Sequence, residues 1–143
     1  MLDDSRSLTV NSNEPDFATP YEYNYLNKQY KSVAQARSLA NQYFHNADYG
    51  VPGNSDAGAL NSWLIWQMLG MYPVVTTEVY LIESPWFEDI KMSVGDGKTL
   101  HITATGLNNS NSYFVQSVKI NGQQWNQKYV HTPALAVLAM QMR

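Results

Sequence analysis

Residues 50–63 (GVPGNSDAGALNSW) bring one carboxylate to the start of an apolar segment. The glycine, proline and asparagine residues favour a tight loop, and the apolar residues after Gly58 predict a helix that is buried on nearly every side. Asp56 lies at the N-terminus of this helix, where free backbone N–H groups and the positive end of the helix dipole favour an anion. We therefore expect chemistry at Asp56, next to the tight loop that Gly50, Pro52, Gly53 and Asn54 favour.

A structural interpretation of the same residues competes with the chemical one. Ser55 or Asp56 would serve as the N-cap of the helix, since both residue types are preferred at that position. The two interpretations are compatible, because a carboxylate can cap a helix and also face a cleft.

A second group of oxygen-bearing residues lies at residues 13–16, Asn-Glu-Pro-Asp. Carboxylate and amide oxygens are the ligands that a hard cation such as Ca²⁺ prefers. The alternative is a solvated turn that leads into a helix. The residue types alone leave both interpretations open.

Helices are predicted before and after the Asp56 loop, and strands beyond it. Pro20 suits the first position of a helix over residues 20–26, and an apolar stripe at helical spacing predicts another over residues 33–44. Beyond Gly70 the pattern has period two or continuous β-branched runs, separated by hairpin-type turns. Strands are predicted at residues 79–82, 90–94, 99–104 and 113–120, and residues 135–142 fit either a last strand or a short helix.

This order of elements contains no βαβ alternation and predicts an α+β chain. We expect an irregular tail over residues 1–12, a helical part over residues 13–72 and an antiparallel β region over residues 73–143.

Composition excludes several classes of function. The chain has 143 residues and a net charge of −3, so it offers no basic field for nucleic acid. It has no cysteine, which excludes disulfides and thiol catalysis. Its three histidines (His45, His101 and His131) lie far apart and not in metal-ligand spacing. No apolar run approaches the roughly 20 residues that span a bilayer, so no membrane partner is expected.

Five short motifs carry a resemblance to a known family. They lie at residues 13–16, 20–25, 50–63, 69–73 and 83–87. In this order, and continuing through Asn121, Gly122 and His131, they resemble the C-terminal part of glycoside hydrolase family 92, whose members are exo-acting α-mannosidases.

The resemblance implies calcium-dependent, inverting hydrolysis of terminal α-mannosides. It implies that residues 13–72 are the last helices of an (α/α) barrel and that the antiparallel strands pack as part of a β-sandwich layer. The implied substrates are mannose-terminated glycans such as N-glycans or mannans, with α-1,2 linkages. In an inverting site one carboxylic acid protonates the leaving oxygen, and a second carboxylate about 6.5–9.5 Å away activates water.

The resemblance also assigns roles to individual residues. Asp56 falls on the position of the catalytic base, Glu14 falls on a calcium-ligand position, and Gly53, Asn54 and Gly58 belong to the substrate-facing loop.

The chain departs from the family pattern at two places. Phe17 and Ala18 replace a His-Gln pair that many members carry, and Asn54 replaces an acidic residue two positions before the base. No residue of the chain can be assigned as the general acid, which lies upstream in family members, so we expect the chain to be inactive by itself. The alternative is a non-catalytic carbohydrate-binding or structural remnant of the family.

A partial barrel has a consequence for the surface of the chain. Three helices cannot close a barrel, so Trp63, Trp66 and the residue 20–26 helix are expected to expose apolar faces to solvent.

Features that bear on export point in different directions. The first residues lack the basic and apolar blocks of a signal peptide, whereas enzymes that trim N-glycans or mannans are usually exported. Asn108, Asn109 and Ser110 form an N-glycosylation sequon, which has meaning only in a secreted protein.

Overall fold

The computed structural model describes residues 13–131 and 136–143. The irregular tail predicted over residues 1–12 lies outside this range. The chain divides into two compact units, Met1–Trp66 and Gln67–Arg143. Helices come first and strands second, so the predicted α+β class is confirmed.

The first unit, called the helical unit below, is built from short 3₁₀ helices and longer α-helices. The 3₁₀ helices are Glu14–Asp16, Thr19–Leu26 and Asp56–Gly58, and the α-helices are α1 (Gln29–Tyr43) and α2 (Ala59–Leu69), whose last turn continues into the second unit. The helix predicted at residues 20–26 is therefore present in 3₁₀ form. It ends at Asn27, which adopts a left-handed conformation (φ 56°), and α1 starts at Gln29 rather than at Val33.

Burial in the helical unit corrects two expectations. Trp63 is 2% exposed and Tyr21 is fully buried, so neither presents the apolar face to solvent that was predicted for it. Helix α2 is not buried on every side, because Ile65 is 57% exposed while Leu60 and Trp63 are buried. Tyr25, at the end of the Thr19–Leu26 helix, is 67% exposed, as the prediction for that helix requires.

Gly70, which lies in the second unit, ends α2 and packs against another segment of the same unit. Gly70 has a left-handed conformation (φ 77°), and a Cβ atom there would lie 2.5 Å from the backbone nitrogen of Pro85. The Glu83 N–H donates to the Gly70 carbonyl (2.8 Å), and the Trp86 N–H donates to the Met68 carbonyl (3.0 Å). Only glycine fits this crossing of backbones.

The second unit, called the β unit below, contains two sheets in the part of the chain that the structure describes. The strands are β1 (Met71–Pro73), β2 (Val79–Ile82), β3 (Asp89–Ser93), β4 (Thr99–Thr105), β5 (Val115–Ile120), β6 (Gln123–Trp125), β7 (Tyr129–His131) and β8 (Val137–Met142). One sheet has the order β1-β2-β7, and the other has the order β3-β4-β8-β5-β6.

The strand pairing departs from the fully antiparallel region that was predicted. Strands β4 and β8 pair in parallel, with His101 opposite Val137, whereas the other paired strands are antiparallel. The short strands β1, β6 and β7 were not predicted, because three residues are too few to show a period of two.

The C-terminal segment, which fitted either a strand or a helix, is strand β8. Leu138, Met140 and Met142 are buried and alternate with residues that are more exposed. Pairing with β4 and β5 overrides the helical preference of alanine and methionine. In the ranges that the structure describes, no helix is both long enough and apolar enough to cross a membrane.

Candidate active site

The loop that leads into α2 contains three residues with left-handed backbone conformation. They are Gly53 (φ 63°), Ala57 (φ 50°) and Gly58 (φ 77°). Glycine adopts this conformation readily, whereas alanine does so at a cost of about 1–2 kcal/mol. A Cβ atom at Gly58 would meet no other atom within 4 Å. The glycine there is therefore required by its backbone angles and not by crowding.

Asp56 opens the short 3₁₀ turn that precedes α2. Its carbonyl oxygen accepts a hydrogen bond from the Ala59 N–H. Its side chain is exposed, and the carboxylate forms no hydrogen bond with any residue in the described ranges. Asp56 is thus held by backbone geometry while its carboxylate stays available to solvent or to a substrate.

The capping interpretation fails for the neighbouring serine. Ser55 forms no capping hydrogen bond at the Asp56–Gly58 turn. Its hydroxyl instead donates to the side-chain oxygen of Asn61 at 2.8 Å. This contact ties the loop to the first turn of α2.

Gly53 and Asn54 lie immediately before Ser55, and both are exposed. Asn54 presents an amide, and its side chain forms no hydrogen bond with the described residues. An amide cannot take up a proton as a carboxylate does. Asn54 can therefore bind a polar group but cannot assist Asp56 as a second base.

Glu14 begins the 3₁₀ helix Glu14–Asp16, at the other candidate position. Its Oε1 atom is buried and has no hydrogen-bond partner among the described residues. A buried carboxylate oxygen without a partner is costly, and a hard cation would supply the missing interaction. Within residues 13–131 and 136–143, however, no group of three His, Cys, Asp or Glu side chains comes together. Glu14 therefore offers one buried carboxylate oxygen that suits a hard cation, without a cluster of acidic or histidine ligands in the described ranges.

Trp63 connects α2 to the segment that carries Glu14. Its indole N–H donates to the Phe17 carbonyl at 3.2 Å, and the Phe17 N–H donates to the Glu14 carbonyl at 3.1 Å. The Trp63 ring stacks on Phe44, with centroids 5.6 Å apart and planes 14° apart, and it contacts Tyr21 at 6.2 Å. These contacts fix the segment from Glu14 to Phe17 against the helix that follows Asp56.

Sequence reasoning missed this role of Trp63. A signal was present, because a buried tryptophan needs an acceptor for its indole N–H. The acceptor is a main-chain carbonyl 46 residues away, and main-chain carbonyls have no signature in the sequence.

The β unit has an exposed carboxylate in a different setting. Asp89 on β3 lies 2.8 Å from the Nε2 atom of His101 on β4. This hydrogen bond, with the electrostatic effect of His101 and Lys91, holds the pKa of Asp89 below its usual value of 3.8. Asp89 already has a structural partner within the sheet.

Comparison with known proteins decides the family. Residues 2–143 match the model of the Glycosyl hydrolase family 92 catalytic domain. The chain belongs to glycosyl hydrolase family 92. A protein from Arthroderma benhamiae named "Uncharacterized secreted glycosidase" is 32% identical over 134 residues, which is 90% of this chain and 17% of that relative.

Solved structures of family 92 enzymes share the fold of this chain. A GH92 alpha-mannosidase from Bacteroides thetaiotaomicron, solved in complex with mannoimidazole, is 26% identical with a TM-score of 0.86 over 93% of this chain. A GH92 inverting mannosidase from the same organism is 23% identical with a TM-score of 0.83 over 96% of this chain. The chain spans 18% and 20% of these two proteins, so it corresponds to about a fifth of a family 92 enzyme.

Proposed function

We propose that this chain is the base-bearing, C-terminal part of a calcium-dependent exo-α-mannosidase that inverts the anomeric configuration. The observation that carries the proposal is the environment of the Asp56 carboxylate. Its exposed carboxylate has no partner in the described chain and is held by a loop with three left-handed residues. A general base requires this combination of fixed position and a free carboxylate.

In the proposed reaction, Asp56 takes a proton from the attacking water. The water oxygen bonds to the anomeric carbon of the terminal mannose on the face opposite the leaving group. The bond between that carbon and the leaving oxygen breaks, and the leaving oxygen takes a proton from a general acid. We place that acid in the upstream part of the same enzyme, which makes the upstream part an obligatory partner of this chain. Without it, the chain does not turn over substrate.

Glu14 would hold the calcium ion through its buried Oε1 atom. When bound, Ca²⁺ would act as a Lewis acid toward the hydroxyls of mannose and would favour the distorted ring of the transition state. The contact from Trp63 to Phe17 supports this assignment, because it keeps the Glu14 turn fixed to α2.

The proposed substrates are mannose-terminated glycans, N-glycans or mannans, with α-1,2 linkages preferred. Family membership supports glycan hydrolysis in general. We also propose that the parent enzyme is secreted. The name of the A. benhamiae relative, a secreted glycosidase, supports this part of the proposal.

A non-catalytic carbohydrate-binding remnant is the second candidate. The side chains of Phe17 and Ala18 offer no polar atom to a cation or a sugar, and Asn54 offers no helper carboxylate. These residues favour binding without turnover. Calcium-dependent mannose binding with no hydrolysis, measured on the native polypeptide, would select this candidate.

The first test is the mass of the native polypeptide that contains residues 99–117. A product several times larger than 16.2 kDa is expected, and it should release mannose of inverted anomeric configuration from terminal α-mannosides. A native product of 16.2 kDa that hydrolyses no mannoside would overturn the catalytic proposal.

The second test assigns the role of Asp56 in that larger polypeptide. Asp56→Ala should abolish turnover. Sodium azide should restore part of the turnover, with β-mannosyl azide as the product. Azide needs no deprotonation, so it replaces water and removes the need for a base. A loss of activity that azide does not rescue would contradict the role of general base.

A further inference from the structure

The loop between β4 and β5 holds a motif that the proposed reaction does not use. It is closed by an isolated antiparallel bridge between Asn108 and Ser112, each of which donates its N–H to the carbonyl of the other at 2.8 Å. The Ser112 hydroxyl also donates to the Gly106 carbonyl at 2.7 Å. The loop therefore has a defined conformation, and Asn108, Asn109 and Ser110 are exposed on it.

The two adjacent asparagines of this loop are used differently. The Asn109 side-chain amide donates to the Trp86 carbonyl at 3.0 Å, which anchors the loop within the β unit. The Asn108 side-chain oxygen accepts the Ser110 N–H at 2.9 Å, and this contact forms an Asx turn. The Nδ2 atom of Asn108 donates no hydrogen bond to any residue that the structure describes.

The Asx turn leaves two polar groups of the sequon without a hydrogen bond in the described ranges. The Asn108 oxygen is occupied by the Ser110 N–H, whereas the Asn108 nitrogen and the Ser110 hydroxyl make no hydrogen bond within the described ranges. These are the acceptor nitrogen and the hydroxyl that define an Asn-X-Ser sequon, and Asn109 at the middle position is not proline. The loop offers the sequon at the surface, as a bulky glycan requires.

We propose that Asn108 is the acceptor of an N-linked glycan. The donor class is an oligosaccharide linked to a polyprenyl diphosphate. The Asn108 Nδ2 atom bonds to the first sugar carbon, the bond from that carbon to the diphosphate oxygen breaks, the lipid diphosphate leaves with the electron pair, and the nitrogen loses one proton. This inference rests on the part of the proposed function that places the parent enzyme in the secretory pathway.

The experiment is peptide mass spectrometry on the native polypeptide, with and without peptide N-glycosidase in heavy-oxygen water. The peptide that contains Asn108 should carry a glycan. Peptide N-glycosidase should convert the glycosylated Asn108 to an aspartate that contains one heavy oxygen atom. An unmodified Asn108 in the native polypeptide would overturn the proposal.

Variants secreted from a yeast host define the site. Asn108→Gln and Ser110→Ala should both lose the glycan completely, and Ser110→Thr should keep or raise its occupancy. Asn111→Gln is the matched control, because Asn111 is exposed in the same loop but outside any sequon. A glycan that persists in Ser110→Ala, or that disappears in Asn111→Gln, would contradict recognition of this sequon.

The outcome is independent of catalysis. Glycan occupancy is measured by mass and mannoside hydrolysis by product release, so an inactive but glycosylated polypeptide would reject only the catalytic proposal. An active polypeptide with unmodified Asn108 would reject only the glycan.

Discussion

Asp56 in the helical unit and Asp89 in the β unit are both exposed carboxylates, and their surroundings differ. Asp89 lies on a regular strand and is hydrogen-bonded to His101 at 2.8 Å, which lowers its pKa. Asp56 lies on a loop with left-handed residues on both sides, and its carboxylate has no hydrogen-bond partner in the described ranges. The Asp89 carboxylate is occupied by a hydrogen bond within the sheet. The Asp56 carboxylate is held in position by its backbone and forms no hydrogen bond in the described ranges.

This difference supports the proposal that the chemistry of the chain lies at Asp56. A regular sheet pairs its side chains across strands, so a carboxylate there finds a neighbour. A strained loop that leads into a packed helix can hold a carboxylate in position without using its oxygens, and strain of this kind concentrates at functional sites. The helical unit therefore carries both candidate residues, Asp56 on its loop and Glu14 on the turn that Trp63 holds.

The largest expected effect is the difference in kcat between variants of Asp56 and Asp89. In the native polypeptide, Asp56→Asn should lower kcat for an α-mannoside by about a thousandfold, because an amide cannot accept the proton from water. KM should change little. Asp89→Asn is the matched control and should leave kcat within about twofold of the parent. Equal losses in the two variants would remove the distinction between the carboxylates.

The next effect tests the aromatic cluster around Trp63, on the helix that follows the Asp56 loop. Trp63→Ala should lower the free energy of unfolding by about 3–5 kcal/mol, since it removes a buried ring from the contacts with Phe44 and Tyr21. Trp63→Phe keeps a ring and loses the hydrogen bond to the Phe17 carbonyl, at a cost of about 1–3 kcal/mol. Urea unfolding measures both. A loss below about 1 kcal/mol in Trp63→Ala would show that the contacts of Trp63 do not stabilise the fold.

A smaller effect tests the backbone of the loop. Gly58→Ala should destabilise the chain by about 1–2 kcal/mol, because an alanine must adopt a φ of 77°. Ala57→Gly, at the adjacent left-handed position, is the matched control and should be within about 1 kcal/mol of the parent, since relief of strain offsets the added chain entropy. If Gly58→Ala unfolded at the same urea concentration as the parent, the left-handed conformation assigned to Gly58 would be wrong.

The smallest effect concerns the pH dependence of the Asp89 and His101 pair. The pKa of Asp89 is lowered in the folded chain, so its contribution to stability is present above pH 3.8 and is lost as the pH falls through the lowered value. The Tm difference between the parent and Asp89→Asn should therefore shrink on acidification across this range. A difference that grows on acidification would contradict the assigned direction of the pKa shift.

Much of the fold was predictable because it depends on local patterns. The strand Val79–Ile82 was predicted with its observed bounds, and the helix after Gly58 begins where the glycine loop ends. The parallel pairing of β4 with β8 was not predictable, because the two strands are distant in the chain and their alternation is the same in either direction. The segment that becomes β8 could not be told from a helix, because its strand form depends on pairing with β4 and β5, which lie elsewhere in the chain.

The sequence by itself determined the family, the α+β order of elements and the candidates Asp56 and Glu14, because short motifs and residue spacing are local properties of the chain. Only the tertiary structure decided that Trp63 is buried against Phe44 and bonded to the Phe17 carbonyl, and that the Asp56 carboxylate has no partner in the described chain. These are contacts, or absences of contacts, between residues far apart in the sequence. Their geometry depends on packing, which residue spacing does not record.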